Sequence, residues 1–162
     1  LFLICTHVSA EQNVAFLDIK FVLNNSKAGS GVQDFLQESF KKNQKKFLDE
    51  EEALKGEENS LLDQKTILTK EEYKKKSDIL RSKVIDYQSR RKTSIDKLAI
   101  QRSEARKKLL KELDPILKNY VKENKIHIVL DKKNVLMGNN ELDITNTIVE
   151  KLNEALPSLT IK

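Results

Sequence analysis

Residues 40–68 read FKKNQKKFLDEEEALKGEENSLLDQKTIL. Apolar side chains recur in this stretch at intervals of seven, which corresponds to two turns of an α-helix. They are Phe40, Phe47, Leu54, Leu61 and Leu68. A coiled coil needs a second seam beside the first, and the residues assigned to it are polar: Gln44, Glu51, Glu58 and Lys65. The pattern therefore predicts a long helix with an apolar stripe only one residue wide.

A second helical pattern follows and is thinner still. Its apolar residues keep three, four and seven spacing: Tyr73, Leu80, Val84, Tyr87, Leu98, Ala105 and Leu109. Polar residues stand where the seam should continue: Ser77, Arg91, Ser94 and Arg102. Residues 31–114 together predict a helical hairpin with arms about 60 Å long. Because its apolar surface is too small for an independent domain, the hairpin should project from a folded body.

Local signals place the ends of the two helices. A capping box pairs a hydroxyl with a Glu or Gln three residues later. Two such boxes are present: Ser30 with Gln33, and Thr69 with Glu72. Pro115 predicts an end or a kink in the second arm, with Asp114 capping a new helix.

The body is predicted to be discontinuous, formed by residues 14–30 and 115–162. Its strands should be Val14–Leu17, 126–131 with Ile126, Ile128 and Leu130 on one face, and Val135 to Met137. Asp143 should cap a last helix with an apolar face. That face consists of Ile144, Ile148, Val149, Leu152 and Leu156. The fold class is α+β, mostly α, and three short strands predict self-association because one chain has a small core.

Charge is distributed unevenly along the 162 residues, whose formal net charge is +5. Residues 41–69 hold 6 basic and 7 acidic side chains, whereas residues 70–111 hold 15 basic and 6 acidic ones. The second arm alone makes the protein basic. Such a surface predicts attraction to acidic partners over a long range.

The first ten residues, LFLICTHVSA, are typical of the end of a signal peptide. A short apolar run precedes small residues suited to cleavage before Glu11, so we expect an exported protein. Without this segment the chain has no cysteine. A buried N-terminal strand is the alternative interpretation of the same residues.

No arrangement of residues predicts catalysis. The sequence holds no nucleophile elbow, no paired histidines and no metal-ligand spacing around His127. Carboxylates that alternate with lysines on a solvated helix are explained by i,i+4 pairing. We predict a protein that is not an enzyme and has no metal or cofactor.

The order of these elements resembles the Skp/OmpH family of periplasmic chaperones. The resemblance is carried by Val14-Ala-Phe-Leu-Asp18, the long hairpin rich in Lys, Glu and Gln, Ile128-Val-Leu-Asp131, and Asp143-Ile-Thr145 with the terminal helix. It implies a homotrimer with a β-barrel body and three helical tentacles around a cavity. It also implies binding of unfolded outer-membrane β-barrel proteins, without ATP, in the periplasm of a Gram-negative bacterium.

The resulting prediction is a holdase that captures unfolded chains and prevents their aggregation. The predicted client-facing residues are Lys74, Lys75, Lys76, Arg81, Lys83, Arg90, Arg91 and Lys92. The predicted trimer body consists of Val14, Phe16, Ile116, Tyr120, Ile126, Ile128 and Leu130. Two alternatives remain: a binder of anionic polymers, such as lipopolysaccharide, an anionic membrane surface or nucleic acid, and a purely structural envelope protein.

Overall fold

The computed structural model describes residues 13–161, so the predicted signal remnant at 1–10 lies outside the described residues. The described chain divides into two compact units, one of residues 13–31 and 105–160 and one of residues 32–104. The elements in chain order are β1 (Val14–Leu17), α1 (Ile19–Asn25), α2 (Lys27–Asp63), α3 (Lys70–Glu123), β2 (Ile128–Asp131) and α4 (Thr145–Ala155). No helix among these residues is long and apolar enough to cross a membrane.

The sheet of the first unit has two parallel strands in the described part of the chain. β1 pairs with β2 so that Val14 lies opposite Ile128 and Leu17 opposite Asp131. The predicted third strand at Val135 to Met137 is wrong. Asp131 accepts a hydrogen bond from the backbone N–H of Lys133, which turns the chain into a short 3-10 helix after β2.

The core of the first unit lies between the sheet and the helices. Its buried members are Ala15, Leu17, Val22, Leu23, Ala28, Leu109, Leu113, Ile144, Ile148 and Leu152. The predicted apolar face of α4 is confirmed, since Val149 and Leu156 pack against this cluster. Of the β2 side chains, Val129 packs against the core, whereas Ile128 and Leu130 are 52% and 45% exposed.

Ser26 forms the junction between α1 and α2. Its Oγ accepts a hydrogen bond from the backbone N–H of Gly29 at 3.1 Å, and the residue is fully buried. The predicted capping box at Ser30 and Gln33 is therefore wrong, because the helix has already begun at Lys27. Ser26 is thus the single residue between α1 and α2.

α3 continues through Pro115 to Glu123, so the predicted new helix at Asp114 is not formed. The Asp114 carboxylate instead accepts a hydrogen bond from Lys118 Nζ at 2.7 Å. The helix ends in a Schellman motif with Lys125 in the left-handed region, at a φ of 53°. The backbone N–H of Ile126 then donates to the carbonyl of Val121 at 3.0 Å.

The second unit is an antiparallel pair of helical segments, as the spacing predicts. The predicted box at Thr69 and Glu72 is confirmed, because the N–H of Thr69 donates to Glu72 Oε2 at 3.0 Å and Glu72 N–H donates to Thr69 Oγ1 at 3.3 Å. The hydroxyl and then the backbone N–H of Thr69 donate to the Glu72 carboxylate and hold the pKa of Glu72 below its usual value. The return helix begins at Lys70, beyond the 3-10 turn at Gln64–Thr66.

The apolar seam of the hairpin is as thin as predicted, but its polar members differ. On α2, Phe47 is buried and Leu54 half-buried, whereas Phe40 is mostly exposed. The second seam position lies three residues after each apolar one, not four, so Asn43 and Glu50 occupy it in place of Gln44 and Glu51. On α3 the buried polar residue is Gln101, whereas Arg102 is exposed.

Candidate functional interface on the helical hairpin

All eight predicted client-facing cations are exposed in the second unit, but they divide into two groups. Three of them have partners across the hairpin: Lys83 and Arg90 bind side chains of α2, and Lys76 binds Gln64 of the 3-10 turn. The other five form no salt bridge with any described residue. They are Lys74, Lys75, Arg81, Arg91 and Lys92.

The three paired cations form a regular ladder along one edge of the hairpin. Arg90 Nη1 lies 2.9 Å from Glu50 Oε2, and Lys83 Nζ lies 2.7 Å from Glu57 Oε2. Lys76 Nζ donates to the side-chain oxygen of Gln64 at 2.7 Å. Successive rungs are seven residues apart on each side of the hairpin, so the same side of each segment carries them.

The electrostatics of the ladder follow from its hydrogen bonds. Glu50 and then Asp86, which accepts from Arg90 Nε at 2.8 Å, hold the pKa of the Arg90 guanidinium above its usual value. Exposed pairs of this kind contribute little stability each. Their main consequence is that these cations already have partners within the hairpin.

The opposite edge of the hairpin carries an apolar groove that we call the groove face. Three adjoining depressions run along it. The central depression shares Phe40, Ile95 and Leu98 with one neighbour. It shares Glu51, Tyr87 and Arg91 with the other. The central depression has a volume of about 160 Å³. Besides seam residues, the groove is lined on α2 by residues one or four positions after an apolar seam residue, such as Leu48 and Glu51, whereas the ladder residue Glu50 lies three positions after one.

An aromatic pair forms the floor of the groove at its centre. The rings of Phe47 and Tyr87 meet edge to face with centroids 5.9 Å apart. The Tyr87 hydroxyl donates to Glu51 Oε2 at 3.0 Å. Burial, followed by this hydrogen bond to a carboxylate, raises the pKa of Tyr87.

Cations predominate among the charged residues of the groove face. Four basic residues line it, namely Lys55, Arg81, Arg91 and Arg102, against the two carboxylates of Glu51 and Glu58. None of the three arginines forms a salt bridge within residues 13–161. With four cations against two carboxylates, the net charge of this face is positive.

Exposed apolar side chains alternate with these charges. Ile85 and Ile95 are 61% and 56% exposed, and both line the groove. Phe40, Leu48 and Leu62 stand on the α2 side and are also more than half exposed. A solvated helix rarely needs large apolar side chains outside its seam, so this surface is suited to contact with another apolar chain.

The seam pattern alone did not identify two parts of this surface. The spacing predicts Arg102 in the seam, whereas Arg102 is a groove cation, and it predicts no role for Ile85 and Ile95. A signal existed in the sequence, because isoleucines that fall off a heptad stripe on a charged helix have no structural partner to pack against. Among the described residues, no group of three or more His, Cys, Asp or Glu side chains could hold a metal ion.

Comparison with known proteins places this chain in a family. A family model described as "Outer membrane protein (OmpH-like)" matches residues 13–152. A crystal structure from Caulobacter crescentus CB15, described as a candidate outer membrane chaperone (OmpH-like), superposes with a TM-score of 0.86 at 21% identity, covering 99% of this chain and 95% of that one. No curated protein matches the sequence. The chain belongs to the OmpH-like outer membrane protein family.

Proposed function

We propose that this protein is an ATP-independent holdase of the periplasm, which binds unfolded outer-membrane β-barrel proteins and prevents their aggregation. The observation that carries the proposal is the groove face, where exposed isoleucines alternate with arginines that have no partner in the hairpin. An unfolded chain offers both apolar side chains and carboxylates to such a surface. Family membership and the description of the Caulobacter protein support the same function.

The thin seam of the hairpin favours weak and reversible binding. Each apolar contact with a client buries only part of one side chain, and each exposed ion pair contributes at most about 1 kcal/mol. Many such contacts on several copies of the hairpin would bind a client tightly while each one remains short-lived. We therefore propose a homotrimer as the working form.

The exposed side of β2 supports self-association of the first unit. Ile128 and Leu130 present their side chains to solvent in the single chain, although Val14 and Phe16 lie in the strand beside them. Ile116, Tyr120 and Ile126 are only partly buried against the core. A second copy would cover apolar surface that one chain leaves open.

Light scattering of a porin diluted from urea tests the proposed function. Equimolar trimer should suppress scattering without ATP, and raising the salt concentration should weaken the effect because exposed charges are screened beyond about 8 Å at 0.15 M. Bovine serum albumin at equal mass provides the control for crowding. Scattering that matches the albumin control at every ratio would show that the protein is not a holdase.

A further inference from the structure

We infer that the groove face, and not the ladder edge, is the surface that docks clients, and that its occupant is an extended segment with carboxylates and apolar side chains on one face. This inference rests on the proposed holdase function and adds the surface and the chemistry of the bound segment. It is carried by the geometry of a repeated pair of side chains on α3.

The repeated pair is an arginine followed by an isoleucine four residues later. Arg81 precedes Ile85 and Arg91 precedes Ile95, and all four side chains line the groove. Four residues of helix rise about 6 Å. Each pair therefore offers a cation and an apolar contact about 6 Å apart along the hairpin.

An extended chain matches this interval. It rises about 3.3 Å per residue, so side chains two residues apart lie on the same face at about 6.6 Å. A carboxylate at one position can reach the arginine while the apolar side chain two residues on packs against the isoleucine. A helix offers the same interval only over four residues, and an unfolded client has not formed that helix.

The interval between the arginines of the groove favours the same occupant. Arg81, Arg91 and Arg102 are separated by ten and eleven residues, or about 15 Å and 16 Å along α3. Four residues of an extended segment return a side chain to the same face after about 13 Å, which is within about 2–3 Å of these intervals. Ten residues of an extended segment span about 33 Å, which is long enough to reach two arginines.

The ladder edge differs from the groove face in its cations. Its cations Lys76, Lys83 and Arg90 already bind Gln64, Glu57 and Glu50, so a client carboxylate would have to displace a partner. One exposed isoleucine, Ile79, lies there beside Lys76. The described residues thus separate a closed edge from an open one on the same hairpin.

Matched variants of the full chain test the charge component. Arg81, Arg91 and Arg102 are changed together to Gln, and the control changes Lys74, Lys75 and Lys92 to Gln, which removes the same charge from exposed positions outside the groove. The probe is a fluorescent peptide, Glu-Thr-Val-Thr-Glu-Thr-Val-Thr-Glu-Thr-Val, measured by anisotropy. We expect the groove variant to bind about tenfold more weakly and the control less than about twofold.

A second pair of variants tests the apolar component. Ile85 and Ile95 are changed to Ser in one protein, and Ile79 and Ile100, which are 53% and 57% exposed and lie outside the groove, in the other. Only the groove pair should weaken peptide binding and suppression of porin aggregation. Replacing the three peptide glutamates by lysines should abolish binding to the wild type.

Three outcomes would overturn the inference. Equal losses in the groove and control variants would mean that binding follows overall charge or apolarity. No loss in either groove variant would mean that clients dock elsewhere. A change of sedimentation coefficient in the Ile85 and Ile95 variant would mean that another copy covers the groove. The proposed function is judged separately, from the wild-type protein. If the wild type suppresses porin scattering, the proposed function holds even when the inference fails. If it does not, the proposed function is refuted.

Discussion

At the scale of single residues, Gly29 shows how closely α1 and α2 approach each other. A Cβ atom at this position would lie 1.8 Å from the backbone carbonyl oxygen of Leu23. The substitution Gly29→Ala should therefore destabilise the protein by about 1–3 kcal/mol, although alanine has the higher helix propensity. Urea unfolding followed by circular dichroism measures the change.

Gly31→Ala is the matched control two residues later in the same helix. No atom lies within 4 Å of its added Cβ, so helix propensity alone should stabilise the protein, by up to about 1 kcal/mol. Opposite signs for the two variants are expected. If both substitutions stabilise the protein, the close approach at Gly29 is not as the structure has it.

Asp143 predicts an acid-sensitive contact in the first unit. Burial alone would raise the pKa of its carboxyl, but hydrogen bonds from Lys132 and Thr145 outweigh burial and hold the pKa below its usual value. A depressed folded-state pKa stabilises the protein above the unfolded-state pKa, near 3.9, and this contribution is lost as pH falls through the folded value. The substitution Asp143→Asn should thus cost about 1–2 kcal/mol at pH 7 and progressively less below pH 4.

Urea unfolding at pH 7 and pH 3 measures this dependence. Asp114→Asn is the control, since its pair with Lys118 is an exposed i,i+4 contact that contributes about 0.5 kcal/mol or less. A difference between wild type and Asp143→Asn that is as large at pH 3 as at pH 7 would contradict the role of the charge.

At the scale of elements, the seam of the hairpin predicts mobility. The second unit buries Phe47 and Tyr87 near its centre, and the half-buried seam positions beside them include polar side chains such as Asn43 and Ser94. Local opening should therefore cost little free energy. Amides of residues 44–100 should exchange hydrogen faster than those of β1 and β2.

Filling the seam provides the matched test of this mobility. The substitutions Ser77→Leu and Ser94→Leu place apolar side chains at half-buried seam positions of α3 and should slow exchange across both helices of the hairpin. Wild-type arm amides as protected as those of the strands would show that the hairpin is rigid.

The hairpin was predictable from the sequence because its signal is long and periodic. Apolar spacing predicts both helices, and the pair of Thr69 and Glu72 predicts the capping box. A stripe one residue wide does not define which side of the stripe faces the partner helix. The pattern therefore predicts the second seam at Gln44 and Glu51, whereas in the structure Asn43 and Glu50 occupy it. Because the predicted seam is displaced by one position, the sequence does not show that the ladder and the groove lie on opposite sides of the seam.

Short elements were less predictable, since a few residues carry little periodic signal. The run from Val135 to Met137 has the composition of a strand, but the hydrogen bond from Lys133 to Asp131 directs the chain into a 3-10 turn. Pro115 likewise has the signature of a helix end. The helix passes through it because tertiary packing of Leu113 and Ile116 against the core outweighs one missing hydrogen bond.

At the scale of the whole molecule, the proposed trimer predicts that the two faces of β2 respond differently. Ile128 is exposed in the single chain, so Ile128→Asp should dissociate the trimer while helical circular dichroism is retained. Val129 packs against the core, and Val129→Asp should abolish the fold by burying a charge. Sedimentation equilibrium at micromolar concentration measures assembly, and wild-type protein that sediments as a monomer would contradict the trimer.

An unfolded client bound by this protein should lie against the groove face of the hairpin. Photo-crosslinking tests it most directly, with a benzophenone side chain introduced singly at Ile95 in the groove or at Ile100 outside it, two positions that are 56% and 57% exposed. Each protein is mixed with a porin freshly diluted from urea and is then irradiated. Crosslinks to the porin should form from position 95 and not from position 100, whereas equal crosslinking from both positions, or crosslinking from position 100 alone, would contradict the account.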